Sequence, residues 1–362
     1  MHTTFPLLPL LLLLLLPSPL HSCTCSPFSG NPSSCCPSST DICSHWGGSK
    51  TCKDDTPVCC NSDFDSVCCP ENSGCTQGCR DSILGECDCV PFRNTTTYNE
   101  QSALNSLVYV AASQCSPSSG LNDTWSCTAC PPSYPLTGVN VVSNDGHAVL
   151  TGYDGENIIV AFRGSLSLRD WISDAENAVL TTYPNCDDCE VGLGWYSAMN
   201  SVRDLVIEAV EGLSEEYEGA GIILTGHSLG AAMAPLWLVE LEERKPELSK
   251  QVIYPIYTFG QPRVGNEKYA EWFMERTGAY NWYRVVHHDD PVPHLPPPAL
   301  KFVHMSTEVW YVESGTGDGN FMVCDGSGED EQCSGGTLVN GEFNDHTEYL
   351  DHDIHQCNPS GF

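Results

Sequence analysis

The chain has 362 residues, 41% of them hydrophobic, which is enough for one large domain with its own core and a second, smaller one. Asp and Glu total 47 against 15 Lys and Arg, giving a formal net charge of -32. This charge opposes binding to nucleic acid or to an anionic membrane surface, so a neutral substrate is expected.

The first residues form an apolar run that predicts a signal peptide. Leucines occupy positions 10–16, and proline at position 9 interrupts the run. The run is shorter than the ~20 apolar residues of a membrane span. We expect residues 1–22 to be removed and the protein to be secreted; an uncleaved signal anchor is the alternative, because His2 is the only basic side chain before the leucines. Sequons at Asn94 and Asn122 agree with secretion.

Residues 23–89 hold fourteen of the 22 cysteines and few large apolar residues. In an oxidising compartment this composition predicts a small module stapled by disulfides rather than metal thiolates. The run from Cys52 to Pro70 resembles part of a granulin module, and the later cysteines depart from that pattern. Two functions stay open: a module that binds an unknown surface or protein, and a protease-resistant spacer or pro-region.

Residues 90–97 are predicted to be a linker, and residues 98–362 the second domain. A helical stripe of apolar residues opens this domain at 98–115. The remaining eight cysteines sort by distance into three close pairs, which leaves one long-range pair. The predicted pairs are Cys127 with Cys130, Cys186 with Cys189, Cys324 with Cys333, and Cys115 with Cys357. A zinc site built from the first two pairs is the rival idea.

From residue 139 onward, short apolar runs alternate with helical ones, which predicts an α/β architecture. The predicted strands are 147–151, 157–162, 221–226, 252–259, 282–287 and 307–312. An amphipathic helix is predicted at 198–217, and helix-forming residues predict a further helix at 229–244. Pro255 inside a strand pattern predicts an edge strand or a bulge. The Gly- and Asp-rich residues 313–336 are predicted to be loops, and the run from Asp325 fails the spacing test for a calcium loop.

A nucleophile elbow is predicted at residues 222–234. An apolar run of strand length leads into Gly226-His-Ser228-Leu-Gly230, and helix-forming residues follow. The two glycines let strand and helix approach closely while Ser228 occupies a strained turn with its hydroxyl exposed. The N–H group of Leu229, at the start of the helix, is an expected donor to a developing oxyanion.

A serine hydroxyl needs an imidazole base, and the imidazole needs a carboxylate. In α/β hydrolases these groups follow the serine from loops at the ends of later strands. The strand 282–287 leads to Asp289 and Asp290, which both qualify. Of the later histidines His294, His304, His346, His352 and His355, we favour His346, because it opens a short helical pattern whose apolar face can hold it rigidly.

The chain from about residue 100 resembles the fungal-type class 3 lipases, a family of α/β hydrolases that also contains feruloyl esterases. The matching motifs are Phe162-Arg-Gly-Ser165 with Trp171 and Asp174, Gly226–Gly230, Thr258–Asn266, Asp290-Pro-Val-Pro-His-Leu-Pro-Pro, and Asp345-His346-x-x-Tyr349. The resemblance implies an α/β-hydrolase fold of mostly parallel strands with helices on both faces. It also selects Asp290 over Asp289, selects His346, and implies the Cys115–Cys357 bridge.

The same resemblance implies a second oxyanion donor at Ser165 and a lid at residues 166–175, in which Leu166 and Trp171 are apolar residues that cover the pocket or contact lipid. Packing in the core is the alternative role for this segment. Two departures occur: Gly192 stands where the family commonly has histidine, and Ala231 where it tends to have glycine. The first bears on the acyl pocket and hence on chain-length preference.

These observations predict a secreted carboxylic-ester hydrolase that needs no cofactor or metal. The favoured activity is a triacylglycerol lipase acting through an acyl-enzyme on Ser228, on a neutral ester at an oil–water interface. The alternatives are an esterase for feruloyl or other soluble esters, and a cysteine-rich binding protein whose hydrolase domain is inactive.

Overall fold

The computed structural model describes residues 98–165, 167, 175–278, 281–312, 320–336 and 343–357, together with seven short strands before residue 92. The chain divides into two compact units, residues 1–92 and 93–362. The predicted signal peptide and the cysteine connectivity of residues 23–89 lie outside the described residues. Among the residues that are described, no helix is long and apolar enough to cross a membrane.

The first unit contains short pairings of strands. Ser22–Thr24 runs parallel to Ile42–His45, which pairs antiparallel with Gly48–Thr51. Two further hairpins pair Val58–Cys60 with Ser66–Cys68, and Ser73–Cys75 with Cys89–Pro91.

The second unit is built around one eight-stranded sheet. Its strands, and those of two small hairpins, are β1 (Thr137–Asn144), β2 (His147–Tyr153), β3 (Asn157–Phe162), β4 (Leu180–Thr182), β5 (Glu190–Gly192), β6 (Gly221–His227), β7 (Ile256–Phe259), β8 (Trp282–His287), β9 (Thr307–Tyr311), β10 (Phe321–Val323), β11 (Glu348–Tyr349) and β12 (His352–Asp353). The order across the sheet is β10-β9-β8-β7-β6-β3-β2-β1. The five central strands are parallel, and the flanking strands pair antiparallel.

Helices cover both faces of this sheet. They are α1 (Glu100–Ser113), α2 (Leu193–Glu216), α3 (Leu229–Arg244), α4 (Pro246–Ser249) and α5 (Glu267–Thr277). Short 3-10 turns occur at Pro117–Ser119, Val292–His294, Pro298–Leu300, Ser334–Gly336 and Phe343–His346. Neighbouring residues of β3 enter opposite layers of the core: Ile158 belongs to the layer that contains residues of α2, α3 and α5, and Ile159 to the layer that contains residues of α1. The predicted α/β-hydrolase fold is therefore present.

The strand that follows Pro255 is not at an edge. β7 begins at Ile256, one residue after the proline, and lies between β6 and β8 in the middle of the sheet. Because the proline precedes the strand, its missing N–H removes no hydrogen bond from the ladder. The prediction of an edge strand was wrong, whereas an irregularity is present at Pro255: Val252 bridges Ile222 and Tyr257 pairs with Thr225, so this side of the ladder holds two extra residues.

Two further expectations need correction. Residues 313–336 were predicted to be loops, yet β10 (Phe321–Val323) pairs with β9 at the sheet edge. His346 was predicted to open a helix, and instead it ends the 3-10 turn Phe343–His346, after which β11 and β12 form a hairpin. Leu350 and Asp351 connect these strands with positive φ angles of 50° and 61°, the two-residue geometry that suits a tight hairpin.

The four predicted disulfides of the second unit are present. They join Cys115 to Cys357, Cys127 to Cys130, Cys186 to Cys189, and Cys324 to Cys333. The four sulfurs considered for a zinc site are thus used in two local bridges. The Cys115–Cys357 bridge spans 242 residues and ties the end of α1 to the segment that follows β12.

Candidate active site

The nucleophile elbow lies between β6 and α3. β6 ends at His227, α3 begins at Leu229, and Ser228 between them has φ 56° and ψ -126°. A positive φ is costly for a residue with a Cβ and persists only where the surroundings impose it. Here the main chain imposes it, since the Ser228 N–H donates to the Phe259 carbonyl of β7 at 3.0 Å.

Two glycines make this turn possible. A Cβ on Gly230 would lie 2.1 Å from the Phe162 carbonyl oxygen, and a Cβ on Gly226 would lie 2.7 Å from the Gly230 carbonyl carbon. Contacts this short with main-chain atoms are forbidden, so α3 can approach β3 and β6 only because both residues lack a side chain. The predicted strand, turn and helix are all present in this form.

A carboxylate from the loop beyond β8 meets an imidazole from the 3-10 turn before β11. Asp290 and His346 are both fully buried. The His346 Nδ1–H lies 2.9 Å from Oδ1 and 2.8 Å from Oδ2 of Asp290. The Val292 N–H donates to Asp290 Oδ1 at 2.8 Å, and the Tyr349 hydroxyl donates to Oδ2. Every oxygen of this buried carboxylate therefore has a donor.

The neighbouring candidates are used differently. The Asp289 main-chain N–H donates to the Asp345 carboxylate at 3.2 Å, and the Asp289 side chain is only partly buried. His304 donates through Nε2 to the Pro293 carbonyl at 2.6 Å, and His352 through Nδ1 to the Leu350 carbonyl at 2.7 Å. Of the five histidines considered, His346 is the one that bonds to Asp290 within the described part of the chain.

The nucleophile turn and the imidazole share neighbours. A Cβ on Gly260, the residue after β7, would lie 2.7 Å from His346 Cε1, so the imidazole rests on the strand end that also receives the Ser228 N–H. The His227 ring lies 4.4 Å from the His346 ring between centroids. Among the described residues, neither Ser228 Oγ nor His346 Nε2 has a hydrogen-bond partner, and both atoms are buried.

No described residue therefore competes for the two atoms that the predicted proton transfer would join. The hydrogen bond between them is not formed in this structure. Such bonds are often long or poorly aligned before substrate binds and tighten in the complex.

The predicted oxyanion donors belong to two segments near the serine. Leu229 is the first residue of α3, where the N–H groups have no acceptor inside the helix. Ser165 follows β3, and the preceding residue touches the nucleophile, because a Cβ on Gly164 would lie 3.3 Å from Ser228 Cβ. The Ser165 hydroxyl makes one long contact of 3.5 Å to the Ser167 carbonyl. The predicted lid residues Leu166 and Trp171 lie outside the described residues.

Three residues around the site were given no role from the sequence. Tyr349 contacts Asp290, and burial followed by the nearby carboxylate raises the pKa of its phenol well above the usual value. Asp345 accepts the His287 ring N–H through its carbonyl at 3.1 Å and the His288 ring N–H through its carboxylate at 3.0 Å. His227 precedes the nucleophile and contacts His346. All three lie within the motifs already noted, which was the available signal.

Comparison with known proteins agrees with this architecture. Residues 159–300 match the model of the family described as lipase (class 3). The chain is 32% identical over 231 residues to a lipase of Rhizomucor miehei, covering 63% of this chain and 62% of that protein. It is 33% identical over 178 residues to the secreted mono- and diacylglycerol lipase A of Penicillium cyclopium, covering 49% and 55%.

A solved structure resembles the second unit in three dimensions. It was described as a triacylglycerol lipase whose catalytic centre is formed by a serine protease triad, and it matches with a TM-score of 0.60 and 26% identity. The match covers 73% of this chain and 99% of that one. The chain spans less than two thirds of the length of the curated relatives named above. The granulin-like resemblance before residue 92 gains no support from these comparisons.

Proposed function

Because the chain belongs to the class 3 lipase family, of the fungal type, we propose that it is a secreted carboxylic-ester hydrolase with Ser228 as nucleophile, His346 as base and Asp290 as the acid that orients the base. One observation carries this proposal. A buried relay runs from Tyr349 through Asp290 to His346, and it ends beside a strained serine turn at an imidazole nitrogen to which no described residue is hydrogen-bonded.

The chemistry follows from these groups. His346 Nε2 accepts the proton of Ser228 Oγ while that oxygen attacks the ester carbonyl, and the Nδ1–H bond to Asp290 stabilises the imidazolium that forms. Collapse of the tetrahedral intermediate breaks the ester C–O bond, and His346 gives its proton to the leaving alcohol. Water then attacks the acyl-enzyme with His346 again as base, releasing the acid and restoring Ser228.

The oxyanion is assigned to two donors, the main-chain N–H of Leu229 and Ser165 through its N–H and hydroxyl. Each well-aimed donor contributes about 3 kcal/mol of transition-state stabilisation. Within the described residues, the Ser165 hydroxyl has a long contact of 3.5 Å to the Ser167 carbonyl, which is weak enough to exchange for substrate at little cost. Residues 166–175 are proposed as the lid, with Leu166 and Trp171 facing lipid when it opens.

The substrate proposed is a neutral ester, with triacylglycerol favoured. The net charge of -32 disfavours an anionic phospholipid surface and leaves attraction to a neutral oil phase unopposed. Secretion is proposed from the leucine-rich start and from the eight cysteines of the second unit, which form four disulfides. The named relative of Penicillium cyclopium is itself a secreted lipase.

The test is the rate on emulsified triolein and on a soluble aromatic ester, measured for the full chain and for Ser228→Ala. We expect Ser228→Ala to lower kcat roughly 10^4- to 10^6-fold on both substrates. Ser201→Ala, a serine on α2 whose hydroxyl bonds to the Ala198 carbonyl, is the matched control and should keep the rate. Retained activity in Ser228→Ala would exclude the mechanism. A rate on triolein that shows no jump when the substrate passes its solubility limit would favour the soluble-ester activity instead.

A further inference from the structure

The main chain of His346 has its own support, separate from the bond that holds its ring. The His227 Nε2–H donates to the His346 carbonyl oxygen at 2.9 Å. The two rings also pack against each other, with centroids 4.4 Å apart and planes inclined by 35°. His346 is therefore held at two points, the ring by Asp290 and the main chain by His227.

This second support is attached to the nucleophile turn. His227 is the last residue of β6 and is paired in the sheet with Phe259, whose carbonyl accepts the Ser228 N–H at 3.0 Å. Only one peptide unit separates His227 from Ser228. The position of His227 thus relates the serine to the histidine loop, although the two lie 118 residues apart in the chain, at positions 228 and 346.

The surroundings of His227 fix its tautomer. A donor at Nε2 requires a neutral ring with the proton on that nitrogen, or a charged ring with protons on both. Nδ1 faces the main chain at Gly164, where a Cβ would lie 2.9 Å away, and it has no hydrogen-bond partner among the described residues. A proton on Nδ1 would be buried without an acceptor, which is costly.

A charge on His227 would also oppose the reaction. The rings that face it belong to His346, to His355 at 5.9 Å and to Tyr349 at 6.0 Å, and none of these supplies a negative charge in its ordinary state. Burial, and after it the rings of His346 and His355, hold the pKa of His227 well below its usual value. The ring next to His346 therefore stays neutral while His346 becomes an imidazolium.

We infer that His227 is a positioning residue of the proposed hydrolase: as a neutral Nε2–H donor it fixes the main chain of His346 relative to Ser228, and its ring supplies the surface on which the catalytic imidazole rests. This inference rests on the proposed function. It assigns to His227 no contact with substrate and no proton in the reaction.

The test separates the donor from the packing. His227→Leu keeps a buried side chain of similar size without the donor, and His227→Gln places an amide N–H at about the reach of Nε2. We expect His227→Leu to lower kcat on a soluble ester roughly 10- to 100-fold, with KM within about twofold, since small misplacement of a catalytic group costs on the order of 10^2 in rate. His227→Gln should recover kcat to within about fivefold of the natural protein.

Thr225→Val is the matched control. Thr225 lies two residues earlier in β6, is fully buried, and donates from Oγ1 to the Tyr257 carbonyl at 2.8 Å. This variant also loses one buried hydrogen bond from a side chain to the main chain, but the lost bond does not involve His346. It should lose stability to a similar degree and keep kcat.

Rates are expressed per nucleophile titrated with an organophosphonate, so that unfolded protein does not contribute. A kcat for His227→Leu equal to that of the natural protein, or a loss in His227→Gln as large as in His227→Leu, would overturn the inference. So would an equal loss of kcat in Thr225→Val. None of these results would touch the proposed function, which fails only if Ser228→Ala retains activity.

Discussion

Three donors converge on the carboxylate of Asp290. They are the Val292 N–H, the His346 Nδ1–H and the Tyr349 hydroxyl. Burying a carboxylate with fewer donors would cost more desolvation free energy. An oxygen without a donor could also compete for the imidazole N–H and change the orientation of the ring. Tyr349 therefore helps to orient His346 through Asp290. No hydrogen bond joins Tyr349 directly to the imidazole among the described residues.

Replacing Tyr349 by Phe removes one of these donors while keeping the ring. A hydrogen bond to a charged group contributes roughly 1.5 to 3 kcal/mol, so we expect kcat/KM on a soluble ester to fall about 10-fold and the free energy of unfolding to fall by a similar energy. Steady-state kinetics and urea unfolding of the full chain measure the two quantities.

Tyr183→Phe is the control for that substitution. The Tyr183 ring is buried, and its hydroxyl has no hydrogen-bond partner among the described residues. Removing an unsatisfied hydroxyl should leave both kcat/KM and stability unchanged or slightly raise stability. If Tyr349→Phe behaved like Tyr183→Phe, the role given to the Tyr349 hydroxyl would be wrong.

Sequence reasoning reached the serine more directly than its partners. Glycines lie two residues before and two residues after Ser228, and this spacing indicates a tight turn. Strand, turn and helix were therefore predictable from thirteen consecutive residues, 222–234. Asp289 and Asp290 are indistinguishable by composition. The folded loop distinguishes them. The Asp290 N–H donates to the His287 carbonyl at 3.0 Å, and in this turn the Asp290 side chain is buried.

At the level of elements, α3 approaches β3 so closely that residue 230 has no room for a side chain. We expect Gly230→Ala to lower the free energy of unfolding by roughly 3 kcal/mol or more and to reduce activity, because the new Cβ would lie 2.1 Å from a main-chain oxygen that cannot move alone. Thermal unfolding and active-site titration measure the two effects.

Gly212→Ala provides the matched comparison. Gly212 lies exposed inside α2, and a Cβ there would meet no atom within 4 Å. Alanine in an exposed helix position should stabilise the protein by about 0.5 to 1 kcal/mol. A similar response of the two glycines would mean that the elbow tolerates a side chain, against the geometry described above.

The sequence predicted buried elements well and edge elements poorly. The prediction for α3, residues 229–244, matches its observed bounds, and all six predicted strands fall on the five central strands of the sheet or on β2, which adjoins them. β1 and β10 were missed because edge strands are only partly buried: most residues of β1 are exposed, so no apolar alternation marks it. The β11–β12 hairpin was taken for a helix because its two-residue turn, Leu350-Asp351, contains no glycine or asparagine.

For the whole molecule, the Cys115–Cys357 bridge closes most of the second unit into one loop. In the chain-entropy model a loop of 242 residues stabilises the folded state by about 5 kcal/mol. We expect the double variant Cys115→Ser with Cys357→Ser to lose most of this energy in denaturant unfolding while remaining active at 25 °C.

The bridge between Cys127 and Cys130 serves as its control. It spans three residues, so the same model gives it only about 1 to 2 kcal/mol, and the corresponding double variant should unfold close to the natural protein. Equal losses from the two double variants would show that local packing, rather than loop length, sets the contribution of these bridges.

Acid should destabilise the second unit through its buried histidines. Burial, followed by the charge of His346, lowers the pKa of His355 to about 4, whereas an unfolded histidine titrates near 6.5. Between these values the unfolded chain binds the proton and the folded chain does not, so stability is lost as pH falls from about 6.5 to about 4. The burial of His227 and His304 lowers their pKa values in the same direction.

His355→Gln removes one of these titrations. We expect the free energy of unfolding of the natural protein to fall more steeply than that of the variant, by about 2 to 3 kcal/mol between pH 7.5 and pH 4.5. As the pH falls toward the pI, protonation reduces the net charge of -32 in the natural protein and in the variant alike. Its effect therefore cancels when the two free energies of unfolding are subtracted. Parallel stability curves in urea titrations at these pH values would contradict the assignment.

The long separation between the nucleophile and its base has a consequence for synthesis. A nascent chain that has passed residue 244 already contains β6, Ser228 and α3, but the imidazole at 346 and the bridge through Cys357 arrive more than a hundred residues later. Until then the proposed nucleophile Ser228 lacks its proposed base. On this proposal, a ribosome-bound chain cannot hydrolyse esters, and activity starts only after translation has supplied the hairpin of β11 and β12.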